Sequence, residues 1–138
     1  MKRIIILSVM LIGVFLISPV ASQDGPWREF YTNSAGNKFY YDENNMLYRD
    51  SDLTAKADVK VSASGEGPGP RELTMVIEIN CREVTYRKLE WEVPGPDGSV
   101  RTVKNQNLSE WYRIPELSYL DILNGIICKS FKGVRHNR

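Results

Sequence analysis

Apolar and polar residues alternate one by one along much of this chain. The cleanest run is Leu73, Met75, Ile77, Ile79 and Cys81, which predicts a strand whose buried face carries the cysteine beside four apolar side chains. Over residues 53–64 the same period sets Val59, Val61 and Ala63 against Asp58, Lys60 and Ser62, the pattern of a half-buried strand. Between the two, Gly65-Glu66-Gly67-Pro68-Gly69-Pro70 cannot hold a ladder and reads as a loop. A further strand is predicted over residues 84–93, with Thr85, Arg87, Leu89, Trp91 and Val93 on one side. Pro94-Gly95-Pro96-Asp97-Gly98 ends it as a turn, and residues 99–104 return as its antiparallel partner.

Upstream, Trp27 and Phe30 precede Asn33-Ser34-Ala35-Gly36-Asn37, whose composition suits a turn. The short aromatic segment Lys38-Phe39-Tyr40-Tyr41-Asp42 and the segment Met46-Leu47-Tyr48 follow, two short strands separated by Glu43-Asn44-Asn45. Near the C-terminus the period changes. Leu117, Leu120, Ile122, Leu123, Ile126 and Ile127 recur at helical spacing, which predicts a helix from near Pro115, with Gly125 weakening its last turn and Cys128 just past its end. Residues 131–138 form a basic tail with the character of a frayed end. Together these elements predict an α+β domain: an antiparallel sheet with a C-terminal helix packed on one face.

The first residues depart from this patterning. Lys2 and Arg3 precede an apolar run, residues 4–17, broken only by Ser8 and Gly13, and small residues follow. This is the layout of a signal peptide, residues 1–22, with cleavage expected after Val20-Ala21-Ser22, giving a mature chain beginning near Gln23, and cleavage after Ala21 as the alternative. The run of about 14 residues is short of the roughly 20 that span a bilayer, and no cysteine stands at the cleavage site for lipid attachment, so no stable membrane anchor is expected. The mature domain, residues 23–130, is about the size of one modest core. Removing Lys2 and Arg3 turns the net charge from +1 to −1, which leaves no field suited to nucleic acid.

Compartment gives the cysteines their meaning. Cys81 and Cys128 are the only two, 47 positions apart, and in an exported protein a disulfide is their expected state. It would tie the central strand to the helix. Two cysteines and one histidine are too few for a metal site, and no cofactor is expected.

In order and spacing these segments resemble the surface-adhesin protein E family of Gram-negative bacteria. The resemblance lies in Trp27, Phe39-Tyr40-Tyr41-Asp42, Val59-Lys60-Val61, Ile79-Asn80-Cys81, Tyr86-Arg87, Asp97-Gly98, Trp111-Tyr112-Arg113-Ile114-Pro115 and Ile126-Ile127-Cys128. It covers essentially the whole mature chain. The resemblance implies a small antiparallel sheet with a helix, a place at the bacterial surface, a homodimer, and host partners such as vitronectin, laminin or plasminogen. This chain lacks the family's lipid-attachment cysteine, which makes a periplasmic or secreted protein as much an expectation as a surface one.

Candidate partner-binding residues fall in two groups. Tyr40, Tyr41 and Tyr48, with Phe39, give rigid aromatic contact area, although strand packing accounts for such residues equally well. Arg82, Arg87 and Lys88 form a basic stripe interleaved with Glu83 and Glu90, which a solvated strand face explains more simply. Asp42, Asn44 and Asn45 lack the glycine of a calcium loop and read as turn chemistry. Glu90 and Glu92 share a face but have the spacing of any exposed strand. Asn107-Leu108-Ser109 has the form of a glycosylation sequon, inert in a bacterium. His136 is the only histidine and lies in the tail, so no nucleophile-base pair can be assembled. The expectation is therefore an exported, non-enzymatic interaction module with a protein partner. The alternatives are a periplasmic accessory subunit that works by sheet-edge pairing, and a small hydrolase.

Overall fold

The computed structural model describes residues 25–131. The signal peptide expected at 1–22, and residues 132–138 of the tail with His136, lie outside the described residues.

Eight strands form one sheet: β1 (Trp27–Thr32), β2 (Lys38–Asp42), β3 (Leu47–Arg49), β4 (Thr54–Ser62), β5 (Glu72–Asn80), β6 (Thr85–Pro94), β7 (Val100–Lys104) and β8 (Tyr112–Arg113). The spatial order is β1-β2-β4-β5-β6-β7, with β3 also on β4 and β8 also on β6, and every pairing is antiparallel. One helix, α1 (Tyr119–Ile127), follows, and a short 3₁₀ turn, Cys128–Ser130, leads to Phe131, the last described residue. The domain is thus mostly sheet with a single nine-residue helix, and the α+β description fits it loosely.

The alternation in β4 and β5 explains the centre. Ala55 pairs with Ile79, Ala57 with Ile77 and Val59 with Met75, so the apolar halves of both strands share one face. Small side chains at Ala55 and Ala57 leave room for Leu120, Leu123 and Ile127 of α1, and this group is sealed from water. The disulfide between Cys81 and Cys128 forms as expected, with Cα atoms 5.6 Å apart, and it joins the end of β5 to the end of α1 inside the same core.

Several expectations need correction. The strand over residues 84–93 does not keep one alternation. Val76 pairs with Glu90 but Ile77 pairs with Lys88, so Leu89 is an extra residue in a bulge. Tyr86, Lys88, Trp91 and Val93 consequently share the helix side, while Thr85, Arg87 and Leu89 point to the opposite side. The helix begins at Tyr119 rather than near Pro115, because the Ser118 hydroxyl accepts the Asp121 N–H and the Asp121 carboxylate accepts the Leu117 N–H, a reciprocal cap. Leu117, outside the helix, and Ile122, on its outer side, are exposed rather than core. Phe131 is buried in the core instead of belonging to the tail, its ring edge-on to Tyr48. The two short strands expected at Lys38–Asp42 and Met46–Tyr48 form as β2 and β3, and they follow one another along the same edge of β4. β1 was not legible as a strand, since its own alternation is broken by an irregularity between Glu29 and Tyr31.

Candidate functional site

The helix covers one face of the sheet, and among the described residues no helix covers the other. Antiparallel pairing arranges that outer face in rows. Glu29, Tyr40, Lys60 and Thr74 form one row, Asp58, Val76, Glu90 and Lys104 a second, and Lys56, Glu78 and Arg87 a third. In the first row the Lys60 ammonium lies 5.0 Å from the Trp27 ring centre and 5.2 Å from that of Tyr40, within cation–π range, and 3.5 Å from the Glu72 carboxylate. In the second, Glu90 and Lys104 pair at 3.3 Å.

The third row is the most ordered. Arg87 donates through Nε and Nη2 to one oxygen of Glu78, at 2.7 and 2.6 Å, and both side chains are largely buried. Its third nitrogen, Nη1, donates to the Leu108 carbonyl, and its guanidinium lies 4.2 Å from the Trp111 ring centre. One arginine thereby pins the 105–111 connection across the outer face. Beside it, Leu47, Arg49, Lys56, Leu89 and Leu108 line a depression of about 350 Å³.

The bulge opens a second, separate site on the helix side. Past the end of the helix's cover, Tyr86, Lys88, Trp91, Asn105 and Tyr112 surround a cleft of about 290 Å³. Asn105 shapes it by donating from its side chain to the Lys88 carbonyl at 2.8 Å and from its backbone to the Leu89 carbonyl at 2.9 Å. The Tyr86 and Tyr112 rings lie 6.1 Å apart, and the Tyr112 hydroxyl donates to Glu110.

The six residues singled out for partner binding therefore scatter. Tyr40 stands on the outer face. Tyr41 packs on the core side with its ring 5.9 Å from Phe30, and Tyr48 packs against Phe131. Phe39, buried, stacks on Tyr119 at 4.6 Å. Arg82 is exposed in the turn after β5, where its N–H donates to Asn80. Arg87 is committed to Glu78, and Lys88 points through the opposite side of the sheet, so the basic stripe does not exist as a surface. Trp27, Lys60, Trp91, Trp111 and Tyr112 were missed. The bulge at Leu89 hid the face of Trp91, and the alternation put Lys60 on the polar side of β4 but gave no sign that the rings of Trp27 and Tyr40 flank it, or that Trp111, outside any strand, meets Arg87.

The remaining motifs are absorbed by local structure. The Asp42 carboxylate accepts the Asn44 N–H, a turn. Asn107 accepts from the Ser109 backbone and hydroxyl. Glu92 accepts the Thr74 N–H at 2.6 Å. Among the described residues no group of three or more His, Cys, Asp or Glu side chains is placed to hold a metal, and no helix is long and apolar enough to cross a membrane. The largest resolved shift in proton affinity belongs to Tyr119, whose phenol burial pushes up to about 12. No family model, curated protein or solved structure matches the chain.

Proposed function

We propose that this chain is an exported, non-enzymatic interaction module, adhesin-like, that docks a protein partner on the outer face of its sheet. The observation that carries the reading is that face itself: rows of alternating charge, flanked by the aromatic rings of Trp27 and Tyr40, with no helix over them among the described residues. Its acids and bases are interleaved, so it has little net field for a polyanion and suits a partner of equally mixed polarity, as protein surfaces are. Aromatic rings with a polar tip are the side chains that most often anchor such contacts. The disulfide supports an oxidising compartment and so supports export. The resemblance to the surface-adhesin protein E family points the same way and favours a host extracellular or serum protein, and a homodimer. The carboxylates of Glu78, Glu90 and Glu92 are engaged by structural partners, which supports a binding rather than a catalytic role.

The test is cross-linked recovery of partners from intact cells and culture medium, with the oxidised mature domain as bait. Recovery of a host extracellular protein, cut at least tenfold by the double change Tyr40→Ala and Lys60→Glu, is the expected result. Recovery that ignores both substitutions would overturn the docking face. A second reading, an accessory subunit of an envelope assembly, is favoured by the edge strand β7, which has a pairing partner on one side only among the described residues. Capture of the cell's own envelope proteins, lost on Thr102→Pro in β7, would favour it.

A further inference from the structure

The helix-side cleft has a chemistry of its own. We infer that it binds a single carboxylated sugar residue, such as a uronic acid, with the ring stacked on the aromatic walls and the carboxylate on Lys88.

The bulge at Leu89 is what creates the site. With unbroken alternation, Lys88 would project beside Glu90 and Glu92 on the outer face. The extra residue turns it through the sheet, between Tyr86 and Trp91, and leaves those two carboxylates behind. Bulges of this kind re-aim side chains and are enriched beside binding sites. Among the described residues Lys88 is the only charged one lining the cleft, and none of them forms a salt bridge with it. Glu110, which does not line the cleft, accepts from the hydroxyl of Tyr112, which does. An ammonium half-sheltered by aromatic rings and lacking a counter-ion is complementary to an anion.

The walls select among anions. Tyr86, Trp91 and Tyr112 offer ring faces and edges, the surfaces on which the C–H side of a sugar ring packs. A peptide strand is disfavoured, because Asn105 already occupies the Lys88 and Leu89 carbonyls where an added strand would pair. The volume of about 290 Å³ sits at the lower end of small-ligand sites, which suits one ring rather than a bound chain. The chain's own tail, with Lys132, Arg135 and Arg138, has the wrong sign to fill it.

The experiment titrates the oxidised mature domain with three probes: a disaccharide ending in glucuronic acid, its counterpart ending in glucose, and a glutamate-rich hexapeptide. The readout is the indole N–H resonances of Trp27, Trp91 and Trp111. The acidic disaccharide should shift Trp91 and leave Trp27 and Trp111 in place, and the glucose counterpart should bind at least tenfold more weakly. Lys88→Gln should cost tenfold or more, the loss of one charge-assisted hydrogen bond, while Lys88→Arg retains binding. Trp91→Ala should abolish it, with an unchanged outer-face signal from Trp27 reporting an intact fold. No shift of Trp91 with the acidic disaccharide, equal binding by wild type and Lys88→Gln, or binding of the peptide alone would overturn the inference.

Discussion

Val84 carries a backbone angle that β-branched residues avoid. Its φ is +54°, and its side chain is exposed, so the strain is not offset by packing. The position exists because the chain must reverse within three residues between the disulfide at Cys81 and the start of β6 at Thr85. Asparagine tolerates this region, so Val84→Asn should raise stability by about 1 kcal/mol in urea unfolding. Leu53, with φ +55°, is the internal control: it packs against the core, and Leu53→Asn should lose more in burial than it gains in strain. Tyr119 sets a second residue-scale expectation. Burial raises its phenol to about 12, with a smaller contribution from Tyr86, whereas in the unfolded chain it ionises near pH 10. Above that pH the unfolded state has lost a proton that the folded state keeps. Stability is therefore complete below about pH 10 and falls as pH rises toward 12, by roughly 2 to 3 kcal/mol. Tyr119→Phe should flatten this part of the unfolding-versus-pH curve, and an unaltered slope would refute the assignment.

At the scale of elements, the strands with uninterrupted period two were legible and those with an inserted residue were not. β4 and β5 could be placed, face and all, because Val59, Ile77 and Ile79 keep step with the pleat. β6 could be placed as a strand, yet its faces came out wrong beyond Leu89, since nothing in the residues Arg87-Lys88-Leu89-Glu90 marks where the extra one sits. The candidate sites depend on those faces, so they were the least legible part of the molecule. Arg87 shows the consequence: read as one member of a basic surface stripe, it is instead the bolt between β5, β6 and the 105–111 connection. Removing only its charge leaves Glu78 buried without a partner. Arg87→Met should therefore cost about 3 to 5 kcal/mol in chemical denaturation, and adding Glu78→Met should restore much of that loss. Lys at this position supplies a charge without the planar fork, so Arg87→Lys should fall between wild type and Arg87→Met, with the Trp111 contact weakened.

Across the described residues, a sheet built on three long central strands is covered on one face by one short helix, and the question is what keeps so small a helix in place. Nine residues form a marginal helix in isolation, so α1 depends on its docked face of Leu120, Leu123 and Ile127 and on the bond at its end. The compartment logic that paired Cys81 with Cys128 needed only their number and the expectation of export; how the bond works needed the fold, because only there does Cys128 close α1 directly onto the end of β5. A crosslink spanning 47 positions restricts the unfolded chain and stabilises the folded one by about 4 kcal/mol in the chain-entropy model. The double change Cys81→Ser and Cys128→Ser should remove most of that in urea unfolding. The loss should also be uneven: amide exchange should rise first in α1 and around Phe131, whose places are fixed from the Cys128 end, and least in β4 and β5, which keep nine paired positions without it. Uniform exchange through helix and sheet would mean instead that the bond secures the domain as one cooperative unit.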